Sequence, residues 1–269
     1  MEKKKILYVS QEIMPYLPDS EMSSISRHLP QGIQEKGREI RAFMPKFGTI
    51  NERRNQLHEV IRLSGMNLII DDTDHSLIIK VASIQAARMQ VYFIDNDDFF
   101  QRKHCLLNEK NIPFEDNDQR AIFFARGVLE TVMKLRWAPD IVHCHGWFTG
   151  LLPLYLKTAY RDEPLFANTK VIYSMYDDGF KQAMSPNFKD VALIEGVTAN
   201  DVLNLEESNF WGLTRLITQY SDGIIQGHRE VDNQALEIVK ASNRPFLGYH
   251  SPDTYIEAYD KFYDKILNL

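Results

Sequence analysis

The chain has 269 residues, 44% hydrophobic and 25% charged, the composition of an ordinary globular protein with enough apolar residues for one large core. The net charge is −6 and the lysines and arginines are scattered, which excludes a basic nucleic-acid or anionic-membrane surface. No apolar run nears the roughly 20 residues of a membrane span, Lys3-Lys4-Lys5 leads into a stretch too short for a signal peptide, and two cysteines, Cys105 and Cys144, fit a reducing compartment. The expectation is a cytoplasmic protein with no membrane and no nucleic-acid partner.

Residues 6–10 read as a buried strand. A polar loop over 11–21 follows, then a helix through Ile25, Leu29 and Ile33 that ends at Gly37, and a second strand over 39–44 stopped by Pro45. That is one βαβ unit. Between Leu57 and Asp95, short runs rich in Ile, Leu and Val (60–63, 68–70, 77–81, 91–94) predict strands and hairpins. Asp116-Asn117-Asp118 opens a helix, its side chains suited to cap free amides. Apolar Ala121, Phe124, Ala125, Val128, Leu129, Val132 and Leu135 recur there at three and four, giving one buried face. Pro139-Asp140 breaks the chain before a strand over 141–144, a helix over 149–157 and a strand over 170–173. The tail predicts a helix at about 252–268, with Ser251 as its cap, Pro252 at its first position and an apolar face of Tyr255, Ile256, Tyr259, Phe262, Tyr263 and Ile266. Strands alternating with helices predict an α/β fold with a parallel sheet. With no repeat, linker or low-complexity tract, residues 1–269 are expected to form one domain.

In an open sheet of this kind, ligands bind beyond the carboxyl ends of the strands, where helix amino-termini and loop amides converge. Three loops qualify: 11–24, 143–150 and 174–179. In the second, His143 and His145 share a strand face and Cys144 points the other way. A metal needs at least three convergent ligands and this spacing offers two, so no metal is expected. One histidine packed under the sheet and one at its rim is the alternative. Trp147 is either a core aromatic or a stacking surface for a sugar ring.

The segment Pro139-Asp140-Ile141-Val142-His143-Cys144-His145-Gly146-Trp147, running on through Thr149-Gly150-Leu151-Leu152-Pro153, resembles the glycogen/starch synthases, which carry PDxxHxHDW and a T-x-L-L-P helix there. Residues 10–15 are similar to the family's first strand and its SE-x-x-P turn. Leu29-Pro30, Gly37 and Met44-Pro45 match its LP, G and MP positions. Asp116-Asn117 with Arg120 and Phe123-Phe124 resembles its DN-x-x-R-F-x-F-F helix, and Asn209-Phe210 and Asp222 match later positions. The likeness runs in order from residue 5 to about 230.

The resemblance implies a single Rossmann-like, doubly wound domain equivalent to the amino-terminal lobe of a GT-B glycosyltransferase. It implies glucosyl transfer from ADP-glucose to an α-1,4-glucan, without a cofactor, with His145 at the catalytic position beside the donor sugar. The family's KTGGLAD loop wraps the nucleotide phosphates with glycine amides. Its counterpart here places Pro18 for the lysine, Ser20 and Glu21 for the glycines and Ser24 for the aspartate. A carboxylate about 4 Å from a phosphate charge, at an effective dielectric near 20, repels it by about 4 kcal/mol. The aspartate after His145 is Gly146, and the THN motif becomes Ser174-Met175-Tyr176-Asp177. No counterpart of the family's second domain is recognisable after Asp222. The chain alone is therefore expected to be non-catalytic, with ADP-glucose or an α-glucan as ligand and a partner supplying the second lobe. The alternatives are an α-glucan-binding protein that uses Trp147, Tyr176 and Asp177, an interaction subunit of glycogen metabolism, or aromatics that merely fill the core.

Overall fold

The computed structural model describes residues 3–269. Strand β1 (Lys5–Ser10) is buried along almost its whole length, as a near-continuous apolar run requires when helices cover both faces of a parallel sheet. Helix α1 (Glu21–Glu35) carries the chain over to β2 (Glu39–Pro45), which pairs in parallel with β1, Ile6 opposite Ile40. The chain then forms β3 (His58–Glu59), β4 (Met66–Ile70), β5 (Thr73–Ile84) and β6 (Met89–Asp95). Strand β6 joins β2 in parallel, β5 runs antiparallel to β6, and both β3 and β4 pair antiparallel with β5.

After α2 (Asp97–Phe100) and α3 (Asn117–Leu135), strand β7 (Ile141–His145) takes the other side of β1, Ser10 opposite His145. There follow α4 (Leu152–Lys157), β8 (Lys170–Met175), α5 (Phe188–Val191), α6 (Phe210–Tyr220), β9 (Gly223–Gln226), α7 (Asn233–Ala241), β10 (Phe246–Leu247) and α8 (Tyr255–Leu267). The strand order is β10-β9-β8-β7-β1-β2-β6-β5-β3, parallel from β10 to β6. This is the expected doubly wound α/β sheet, and its order reverses at β1, between β2 and β7, the position where such sheets open a ligand crevice.

Helix α8 packs beside α1 over β1, β7 and β8. Gly32 in α1 allows the close approach, since a Cβ there would lie 2.8 Å from the Ile256 side chain. Tyr259, Phe262, Tyr263 and Ile266 are each at most 3% exposed, and burying such side chains stabilises by about 1.5–3 kcal/mol each. Arg38 holds the other side of the helix through Asp260 at 2.7 Å and Asp264 at 2.9 Å. Helices α3, α4 and α6 make the second helical layer.

Four expectations about elements change. Residues 60–63 form a turn, not a strand: the Val60 amide donates to Ile79 and the Leu63 amide folds back on Val60. Asp116 precedes α3 without capping it by its side chain, because its carboxylate is taken by Arg102 at 2.6 Å. The helix expected over 149–157 is a 3₁₀ turn, Trp147–Thr149, followed by α4 from Leu152. In the tail, Ser251 accepts the Thr254 amide in a turn, so α8 begins at Tyr255 and Pro252 lies outside it. No helix among the described residues is long and apolar enough to cross a membrane.

Candidate binding cleft

Beyond the carboxyl ends of β1, β7 and β8 lies a cleft of about 1010 Å³. One wall is the amino-terminus of α1. Ser20 is the N-cap: its Oγ accepts the Ser23 amide at 3.0 Å and donates to Glu12 Oε2 at 2.7 Å, while the Ser20 amide donates to Ser23 Oγ at 2.8 Å. This reciprocal pair uses up donors that a helix start otherwise offers to an anion. Glu21 pairs with His228 at 3.1 Å. Pro18, Ser20 and Glu21 line the cleft; Ser24 sits a turn further along α1 and does not.

The floor is the turn after β7. Gly146 adopts φ +85° and ψ 154°, a conformation that side chains disfavour. A Cβ there would stand 2.9 Å from the Met22 sulfur and 3.0 Å from Asp178 Oδ2. Asp178 thus puts a carboxylate beside a position whose own residue has none. Its Oδ2 accepts the Trp147 amide at 2.7 Å, and its Oδ1 is buried without a hydrogen-bond partner. Burial pushes the acid up to about 7 against the pull of that amide, with Glu12 and Asp177 adding to the rise.

Trp147 and Tyr176 both border the cleft but are 5% and 3% exposed, which leaves little ring surface for stacking. The Trp147 ring is covered edge-on by Phe180 at 5.0 Å. Phe180 and Phe114 are more open, and Asp177 is exposed on the rim. The opposite wall comes from the 104–117 segment, which carries no periodic signal in the sequence. Among the described lining residues there are five carboxylates (Glu12, Glu21, Glu115, Asp177 and Asp178), two histidines (His104 and His228), and no lysine or arginine.

His145 lies beneath this cleft and does not line it. Its Nδ1 bonds the Tyr176 hydroxyl at 2.8 Å and its Nε2 is buried without a partner. Burial pushes it down to about 3. His143, 4.0 Å away ring to ring, is held by Tyr263 at Nδ1 and Ser174 at Nε2, both at 2.7 Å. Because the Tyr263 hydroxyl donates to Tyr8, His143 donates from Nδ1 and accepts from Ser174. Burial, with His145 alongside, also lowers His143 well below the usual imidazole range. The two histidines are neutral members of an interior polar network that α8 closes. No group of three or more His, Cys, Asp or Glu side chains among the described residues could hold a metal ion.

Comparison with known proteins adds a pedigree to this geometry. A family model for the starch synthase catalytic domain matches residues 5–227. The glycogen synthase of Chlorobium limicola is 38% identical over 183 residues, covering 68% of this chain and 37% of that protein. That of Chlorobaculum tepidum is 36% identical over 207 residues, covering 73% and 42%. The chain therefore spans well under half the length of these curated relatives. Among solved structures, the catalytic domain of starch synthase IV from Arabidopsis thaliana, bound to ADP and acarbose, superposes with a TM-score of 0.73 at 15% identity, over 94% of this chain and 53% of that one.

Proposed function

This chain belongs to the starch synthase catalytic-domain family, and on that premise we propose that its cleft takes an α-glucan and not the anionic sugar-nucleotide donor. The observation that carries the reading is the self-capped start of α1. The Ser23 amide is spent on Ser20, and Glu12 and Glu21 stand where phosphate oxygens would approach a helix amino-terminus. A diphosphate would meet the carboxylates of Glu12, Glu115 and Asp177, beside a Glu21 paired with His228 and an Asp178 raised to about 7, with no lysine or arginine among the described lining residues. One repulsion of about 4 kcal/mol already costs nearly three powers of ten in affinity. The Arabidopsis domain is described as bound to ADP and acarbose; the carboxylates here disfavour a ligand of the first kind.

A neutral polyhydroxylated ligand meets no such penalty. Carboxylates accept its hydroxyl protons, and the partly open ring of Phe180 offers apolar surface to its C–H face. His145, neutral and covered by Tyr176, supports the cleft floor in this reading and touches no ligand.

Calorimetric titration tests the assignment. Maltoheptaose should bind and ADP-glucose should not, and glucose incorporation into glycogen should equal a no-enzyme control. Binding of ADP-glucose without maltoheptaose, or incorporation that a His145→Ala variant abolishes, would overturn the proposal.

A further inference from the structure

Beside the cleft, with Asp177, Gly179 and Phe180 as a shared wall, lies a second recess of about 810 Å³. The feature that sets it apart is Trp211, in the first turn of α6. Of the three tryptophans, Trp137 and Trp147 are 5% exposed, whereas Trp211 is 37% exposed. The indole is not loose. Its Nε1–H donates to Asp232 Oδ1 at 3.0 Å, and the same carboxylate oxygen accepts the Ala235 amide at 2.8 Å as the cap of α7. Its backbone is fixed as well, because Asn209 caps α6 by accepting the Gly212 amide at 2.8 Å. An aromatic ring is thus held open and oriented by the ends of two helices.

Around it the recess is polar. Asn209, Gln226 and Asn233 line it, Asn209 being held by Gly212 and Glu207 and the Gln226 amide nitrogen by the His228 and Arg229 carbonyls, and its charges are mixed: Lys181 and Arg229 against Asp177, Glu230 and Asp232. The balance favours neither a polyanion nor a polycation. An oriented aromatic face among short-range donors and acceptors matches the two-sided chemistry of a pyranose, with a C–H face that packs on a ring and a rim of hydroxyls.

We propose that this recess is a second sugar subsite continuing the cleft, with the Trp211 indole as its stacking platform, for a glucan chain long enough to cross the 177–180 wall. The inference rests on the reading of the cleft as glucan-binding. A short oligosaccharide fills the cleft alone. A longer one gains the second subsite, so affinity depends on chain length, and the mixed charges leave that gain insensitive to salt.

The experiment is titration of the full chain with maltotriose and maltoheptaose, in wild type, Trp211→Ala and Trp211→Phe. Wild type should bind maltoheptaose about tenfold more tightly than maltotriose, the scale of one aromatic contact. Trp211→Ala should abolish that difference and leave maltotriose affinity unchanged; Trp211→Phe should keep most of it. Trp211 is on the surface, and matched thermal melting of the variants confirms that the fold is retained. Equal affinity for both lengths in wild type, or a chain-length effect untouched by Trp211→Ala, overturns the second subsite while the cleft reading stands. Wild-type protein that binds neither sugar overturns both.

Discussion

Neither His143 nor His145 can take a proton without placing a charge in the interior, because both rings are fully buried and the imidazoles face hydroxyls and each other. An unfolded histidine titrates near 6.5, while folding lowers His145 to about 3 and His143 well below its ordinary value. Between those limits the unfolded chain binds more protons. The stability contributed by the pair is therefore fully present above about pH 6.5 and is lost as pH falls toward 3. Asp178 acts in the opposite sense: raised to about 7, it contributes stability present at low pH that is lost as pH rises from about 4 through 7. The expected outcome is that the C2 protons of both histidines show no titration down to pH 5 by NMR. Midpoints near 6.5 would mean the rings are reached by water. Alternation along β7 made the shared face of the two histidines legible from sequence, but not their partners, since periodicity says which side a residue faces and nothing about which helix covers that side. The same limit hid Asp178, whose carboxylate stands beside Gly146 only through the packing of two separate turns.

At the level of elements, α1 decides what the cleft can hold. The triple variant Pro18→Lys, Ser20→Gly, Glu21→Gly removes a carboxylate and the side chain that occupies the cap, and adds a cation. Replacing the cap by glycine costs only a few tenths of a kcal/mol, so the helix should persist. ADP affinity should rise by about tenfold or more at low salt, and the gain should shrink at high salt as the charge contribution is screened. Equal ADP affinity in wild type and variant, both folded, would show that the loop is not what keeps the nucleotide out. The loop substitutions themselves were visible in the sequence as side chains where glycine is needed; that Ser20, Ser23 and Glu12 satisfy one another was not. The strands and helices of the βαβ frame were legible because each is long enough to display its period. Residues 60–63 were not, since Val60, Ile61 and Leu63 around Arg62 are too few to display a period, and a strand or a turn fits them equally. Ser251-Pro252 likewise fits a helix start, but its cap geometry is spent on the Ser251 to Thr254 turn. The 104–117 wall has no period to read.

For the molecule as a whole, the sheet is unbroken from β10 to β3 and one apolar cluster runs along it. Unfolding is therefore expected as one cooperative transition by calorimetry, and two well-separated transitions would reveal a boundary inside the sheet. The strand order carries a cost in time. Strand β1 lies at the centre of the sheet, and its partner on one side, β7, is supplied only after residue 141, while Tyr8 waits for Tyr263. Contacts of such sequence separation pay for loop closure before they return any stabilisation. Until they form, β1 and β2 present an open hydrogen-bonding edge and an uncovered aromatic face. A chain emerging from the ribosome thus holds one edge of its own central strand open until β7 has been made, and that edge is a template on which another chain could pair.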